Sequence, residues 1–207
     1  MESHEQLTAT PSPQPAKSGS SVFFSELIRF VLIAVFVVLP IRVFIAQPFI
    51  VSGSSMDPTF KNGEYLIVDE ISYRFEEPAR GDVVIFKYPN DPTKFFIKRI
   101  IGLPGERVIV SASSVIIQND ANPEGFKLDE TYLSHPTLGD MTVVLDDTEY
   151  FVMGDNRPAS SDSRVWGPLE RDFIIGRALV RLLPVTKAAL FPGEHEYVLV
   201  DDATETE

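Results

Sequence analysis

The sequence predicts a mainly β protein, with an N-terminal single transmembrane helix followed by an antiparallel β-sheet domain. Three observations carry this expectation. Residues 27–46 are apolar apart from Arg29, Pro40 and Arg42. Beyond them the chain becomes a series of short β-branched and aromatic runs bounded by Gly, Pro, Asn or Asp. No long amphipathic helical period follows the apolar stretch.

Residues 1–21 are rich in Pro, Ser, Thr and Gln and almost lack large apolar side chains. They cannot offset the entropy lost on ordering, so a disordered tail is expected. Residues 22–46 are read as a transmembrane signal-anchor helix, since a bilayer core needs ~20 apolar residues. The alternative is a buried core helix, because the uninterrupted apolar run at 30–41 is short by that standard. Two features favour the membrane. Arg29 and Arg42 lie near the ends, where they can snorkel to the interfaces, and a helix apolar on every face has little to do in a small soluble domain. A cleaved signal peptide fits less well, because bulky Phe44 stands where a small residue is needed before Gln47. Charge does not set the orientation, with Lys17 and Arg29 on one side and Arg42 and Lys61 on the other.

The β-rich domain is expected over 47–200, with strands at 65–71, 82–88, 94–101, 149–155, 173–183 and 196–200 and a hairpin over 107–118 that breaks at Ser111 to Ser114. The segment 119–148 is its least regular part, and 201–207 reads as a disordered acidic tail.

Composition narrows the function. At 207 residues the chain suits one core of ordinary size. A net charge of −12 argues against nucleic acid as a partner, since phosphate binding needs a basic surface. Residues 1–46 balance Lys17, Arg29 and Arg42 against Glu2, Glu5 and Glu26, so the acidic excess lies wholly beyond them. There is no cysteine, and His4, His135 and His195 are scattered, which removes disulfides and histidine-based metal clusters. No phosphate-cradling or dinucleotide glycine motif occurs. Asp155 and Asp162 do not have calcium-loop spacing, and the RGD at 80–82 reads as a turn leading into a strand.

The stretch SGSSMDPTF at 52–60 holds three serines within four positions and no nearby histidine. A serine hydroxyl needs a neighbouring group to take its proton before it can attack a carbonyl. A lysine can serve if its ammonium form is disfavoured, which means lowering its pKa from ~10.4 to ~7–8, about 4 kcal/mol. Only burial among apolar groups does that. Lys98, in FFIKRII, has the most apolar setting, although taken alone Lys98 and Arg99 also fit a strand reaching solvent.

The order of four boxes decides between these readings. SGSSMDPTF, RGDVVIFKYP at 80–89, FFIKRIIGLPGE at 95–106 and MGDNRPASSDSRVWG at 153–167 follow an apolar N-terminal segment. From about residue 27 to about 180 the chain resembles the bacterial type I signal peptidases, or leader peptidases, a family of Ser-Lys serine endopeptidases. The resemblance implies Ser55 as nucleophile, not Ser52 or Ser54, and Lys98 as general base. It implies that the Ser160 hydroxyl helps orient the lysine, with Ser161 adjacent in the same motif. It further implies that Asp162 and Arg164 form a structural ion pair. Where Gram-negative members have a serine two positions before the nucleophile, this chain has Gly53. The oxyanion would then lean on backbone N–H groups, chiefly that of Ser55.

On this resemblance the protein would be a membrane-anchored enzyme cleaving signal peptides from exported preproteins at Ala-x-Ala-like sites. It would be single-pass in the bacterial cytoplasmic (inner) membrane, with its catalytic domain on the extracytoplasmic side, and would use no metal or cofactor. Phe49, Val51, Met56 and Ile97, beside Ser55 and Lys98, are the expected substrate-binding residues. Trp166 reads as a packing residue. The rival readings are a specialised processing peptidase of a conjugation or pilus system and a catalytically silent, membrane-tethered peptide-binding domain. The self-cleaving repressors of the SOS response share a Ser-Lys pair but carry a DNA-binding domain and no anchor, the reverse of this chain.

Overall fold

Alternation of side chains across a strand explains most of the architecture, because several strands bury both faces. The computed structural model describes residues 19–38, 46–111 and 113–197. It divides into two units, residues 1–41 and 42–207. The expected tails at 1–21 and 201–207 lie outside the described residues, except that 19–21 belong to a helix.

In the first unit, helix α1 (Gly19–Ile33) continues into a π-helical turn, Ala34–Val38. Residues 39–45 of the expected span lie outside the described residues. Among the described residues no helix is long and apolar enough to cross a membrane. At 1.5 Å per residue the 15 residues of α1 extend only about 22 Å, short of a ~30 Å hydrocarbon core. Its apolar side chains are nonetheless exposed on every side, among them Phe23 (68%), Phe30 (71%) and Phe36 (72%) in the turn that follows.

The second unit is antiparallel β. Its strands are β1 (Ala46–Ile50), β2 (Tyr65–Asp69), β3 (Val83–Tyr88), β4 (Asp91–Gly102), β5 (Arg107–Ser111), β6 (Ser114–Asn119), β7 (Asn122–Lys127), β8 (Met141–Val144), β9 (Glu149–Met153), β10 (Leu169–Glu170), β11 (Ile174–Leu183) and β12 (Ala189–Leu190). One sheet runs β1-β2-β11-β3-β4-β9-β10, with β12 on β11, and a smaller one runs β7-β6-β5-β8. A four-residue helix, α2 (Ser163–Trp166), is capped by the Asp162 carboxylate, which accepts from the Arg164 N–H.

Period-two patterning divides the core into three. In β3, Val83 and Ile85 join Val51, Met56, Phe60, Leu66 and Val68 on one face, while Val84 and Phe86 join Ile100, Val152 and Leu169 on the other. In β9 the alternation is repeated, with Tyr150 and Val152 facing the second cluster and Phe151 and Met153 packing with Val108, Val110, Val115 and Ile117 of the small sheet. A strand buried on both sides reads as a continuous apolar run, which is why VVIF stands out in the sequence.

The edges position the site. Among the described residues β1 pairs only with β2, with Phe49 opposite Leu66. β4 pairs with β3 along most of its length but meets β9 only from Arg99 onward, so its segment from Asp91 to Lys98 has one neighbouring strand. The rings of Phe49 on β1 and Phe95 on β4 approach to 5.6 Å, so the sheet curls until these two open edges face each other.

The structure departs from the sequence expectations in three places, the first being β1, an unexpected strand that begins at Ala46, the last residue of the expected anchor helix. β7 and β8 fall within 119–148, the segment expected to be least regular. Glu196 and Tyr197 are not in a strand, and the rest of the strand expected at 196–200 lies outside the described residues.

Candidate active site

Ser55 lies in the loop that leaves β1. This loop is tied at its base by Val51 N–H to Glu64 O (2.9 Å) and Gly63 N–H to Val51 O (2.8 Å). Buried Met56 and Phe60 root it in the core, and Phe60 N–H donates to Met56 O at 2.8 Å. From the other side Asn156 grips it, its N–H on Ser55 O (2.9 Å) and its Nδ2 on Ser54 O (3.0 Å). The loop can approach so closely because residue 154 is glycine. A Cβ there would strike both the Ser55 carbonyl oxygen and the Ser160 hydroxyl.

Lys98 comes from the open edge of β4. Its Nζ lies 2.7 Å from Ser55 Oγ and 2.9 Å from Ile97 O. The residue is 3% exposed. Burial pushes its pKa down from 10.5 to about 8, against the opposing pull of the Asp162 and Asp155 carboxylates. A neutral amine here can donate to Ile97 O and still present its lone pair to the serine hydroxyl.

The neighbouring Arg99 points to the opposite face and is 1% exposed. It holds Asp155 through two bonds, Nε to Oδ1 (2.9 Å) and Nη2 to Oδ2 (2.6 Å), and Thr59 Oγ1 donates to the same Oδ2 at 2.5 Å. The serine loop, the base strand and the 154–164 loop thus meet at one buried carboxylate. Arg99 lies over the Tyr132 ring at 4.1 Å and donates to Gly81 O at 2.9 Å. Strand alternation could have signalled this, since adjacent Lys98 and Arg99 cannot both face the same side.

Asp162 and Arg164 form a two-bond pair, both contacts at 2.8 Å, and Asp162 also accepts from Gly154 N–H at 3.0 Å. Burial works to raise the Asp162 pKa, but the hydrogen bonds from Arg164 and Gly154 outweigh it and hold the carboxyl below its usual range. The two hydrogen bonds of Lys98 go to Ser55 and Ile97, and Ser160 is not among its partners. The Ser160 hydroxyl is buried without a hydrogen bond of normal geometry, close enough to Asp162 to favour its charged form.

A cavity of about 490 Å³ opens beside the pair, between the edges of β1 and β4. Phe49, Val51 and Ile97 line it, with Leu66, Ile85 and Phe95. Met56 does not reach it. At 1% exposed it is part of the core that supports the loop. Ala159 and Ser161 border the cleft from the 154–164 loop. Gly53 lies at the rim, and its N–H is already engaged by Asn62 Oδ1 at 2.9 Å. Trp166 packs against Phe86 and Tyr88, with ring centroids 5.9 and 6.0 Å apart. His195 packs between Tyr132 and Tyr197, 4.8 Å from each.

A hydroxyl beside a buried amine, at the lip of a cleft between two open strand edges, belongs to the chemistry of peptide hydrolases. The model of the family described as signal peptidase, peptidase S26, matches residues 24–183. The chain belongs to this family and is a protease of the signal peptidase I kind. It is 39% identical over 183 residues to the probable signal peptidase I-2 of Synechocystis sp., covering 85% of this chain and 81% of that protein. It is 38% identical over 199 residues to signal peptidase I of Leptolyngbya laminosa, covering 90% and 94%. A crystal structure of a signal peptidase I from Enterococcus faecalis shares 30% identity at a TM-score of 0.43, covering 49% of this chain and 97% of that one.

Proposed function

We propose that the protein is a membrane-anchored serine endopeptidase that removes signal peptides from exported preproteins with Ser55 as nucleophile and Lys98 as general base. The observation that carries this reading is the 2.7 Å approach of Lys98 Nζ to Ser55 Oγ in a lysine that is 3% exposed. Neutral Lys98 takes the hydroxyl proton while Ser55 attacks the scissile carbonyl. The resulting ammonium returns that proton to the leaving amine as the acyl-enzyme forms. Lys98 then deprotonates a water that attacks the ester, and passes the proton back to Ser55 as the peptide leaves. The Ser55 backbone N–H has no partner among the described residues and is free to donate to the oxyanion. Gly53 N–H is the less available second donor, because Asn62 competes for it.

The substrate would lie as an extended strand between β1 and β4, bonding to backbone groups on either side, with Phe49, Val51 and Ile97 shaping the subsites before the cut. Residues 22–46 would anchor the enzyme in the bacterial cytoplasmic membrane, with the β domain on the extracytoplasmic side. The exposed apolar side chains of α1 support this, since together they favour a non-aqueous surrounding. Anchoring also confines enzyme and substrate to one surface, which raises their effective concentration.

Incubation with a panel of preproteins in lipid vesicles tests the reading. Cleavage of many preproteins after Ala-x-Ala-like sequences is expected, and it should disappear in Ser55→Ala. Cleavage of a single substrate would mark a specialised processing peptidase, and no cleavage at all would mark a binding domain.

A further inference from the structure

Residues 191–197 lie beyond the part of the chain matched to the family, yet they run beneath the candidate active site. Gly193 O accepts from Arg99 Nη1 at 2.5 Å, completing a guanidinium whose other bonds go to Asp155 and Gly81 O. Gly193 also faces the serine loop. A Cβ built on it would sit 2.6 Å from Thr59 Cγ2 and 3.0 Å from Phe60 Cε2, in a backbone with φ of +82° that disfavours any side chain. One residue therefore touches the neighbour of the base and the loop of the nucleophile together.

The segment is pinned on both sides of that point. Upstream, Phe191 N–H donates to Leu179 O at 2.7 Å. Downstream, the His195 carbonyl lies so close to Gly81 that a Cβ there would collide with it, and His195 Nε2 is 3.0 Å from Asp129 O. The Tyr197 hydroxyl lies 2.7 Å from that of Tyr132, whose ring covers Arg99. These contacts converge on the Arg99–Asp155–Thr59 chain that joins the strand of Lys98 to the loop of Ser55.

We propose that residues 191–197 are a positioning strap for the Ser55–Lys98 pair, with Gly193 as the residue that sets its height against Arg99 and Thr59. The inference rests on the Ser-Lys reading above. The strap touches neither substrate nor the reacting atoms. It acts by fixing the separation of nucleophile and base, where a displacement of about 1 Å can cost up to about 100-fold in rate.

The test is Gly193→Ala in the full-length enzyme, assayed on a signal-peptide substrate with folding followed by circular dichroism. The expected result is a fall in kcat of about 10-fold or more with KM within about twofold, as for an interaction felt in the transition state rather than in substrate binding. Thr59→Ser removes the methyl that the new Cβ would strike and keeps the hydroxyl on Asp155. Measured against Thr59→Ser alone, adding Gly193→Ala should then cost less than in the wild-type background, with the remaining loss set by Phe60 Cε2 at 3.0 Å and the φ of +82°. Should Gly193→Ala not fold, Tyr197→Phe, which loosens the strap without strain, carries the test, with a smaller fall confined to kcat. Unchanged kcat in the folded variants, or a loss that only follows the unfolded fraction, overturns the strap. Lys98→Met is run alongside. Activity surviving in it overturns the Ser-Lys reading itself, whereas an inactive Lys98→Met beside a normal Gly193→Ala overturns the strap alone.

Discussion

Replacing Lys98 by methionine is expected to remove cleavage and yet stabilise the fold at neutral pH. The lysine is 3% exposed, and burial lowers its pKa from 10.5 to about 8 against the favourable influence of Asp162 and Asp155. That difference amounts to about 3 kcal/mol of destabilisation by the buried charge, since one pKa unit is about 1.4 kcal/mol. Below pH 8 the side chain is protonated in both folded and unfolded states, and the full cost is present. Between about 8 and 10.5 the folded protein has released a proton that the unfolded chain still holds, so stability rises with pH, and above 10.5 the cost is gone. Methionine has similar volume and no charge, but it forfeits the hydrogen bonds to Ser55 and Ile97, about 1 kcal/mol each. The variant should therefore be about 1 kcal/mol more stable than the wild type at pH 7 and about 2 kcal/mol less stable above pH 10.5. Denaturant unfolding followed by circular dichroism from pH 6.5 to 11 measures the crossover. A variant less stable than the wild type by one constant margin at every pH would refute the reasoning.

Three other outcomes follow from the same geometry. Asp155→Asn leaves Arg99, 1% exposed, without its counter-charge, and should cost about 3–5 kcal/mol in denaturant unfolding. Phe49→Ala removes one wall of the cleft and should shift the ratio of kcat/KM for peptides with leucine over alanine before the cut by about 10-fold toward leucine. An unchanged ratio would remove Phe49 from the substrate site. Ser55→Ala should lower kcat by about 1,000-fold or more, while Ser54→Ala, whose side chain is exposed and without a hydrogen bond among the described residues, should retain most of it.

Much of the β architecture was legible because its central strands bury at least one face, and β3 and β9 bury both. β2, β3, β4, β9 and β11 each read as apolar, β-branched runs, and they are the central strands of the large sheet. The strands that escaped notice are peripheral. β7, with the sequence NPEGFK, carries a proline and a glycine and has no fully buried residue, and β8 is four residues long with one side in water. β1 was hidden for a different reason, since its residues continue the apolar composition of the segment before it.

The candidate site divides along the same line. Ser55 and Lys98 could be named from motif order, and the apolar neighbours of Lys98 already suggested the burial now seen. The Asp162–Arg164 ion pair could also be named from its motif, but the Arg99–Asp155 anchor could not, because its members are joined only by tertiary structure. Arg99 meets Asp155 56 residues away and Gly193 94 residues away. No local pattern announces such a convergence, and Met56, adjacent to Ser55 in sequence, points into the core rather than the cleft.

The central claim is that a buried, neutral Lys98 is the base for Ser55, and the pH dependence of kcat/KM on a signal-peptide substrate tests it most directly. The account predicts a rate that rises with pH through an apparent pKa of about 8, set by the lysine. An acid limb near pH 6.5, as a histidine would give, or one near the free-lysine value of ~10.4, would contradict it.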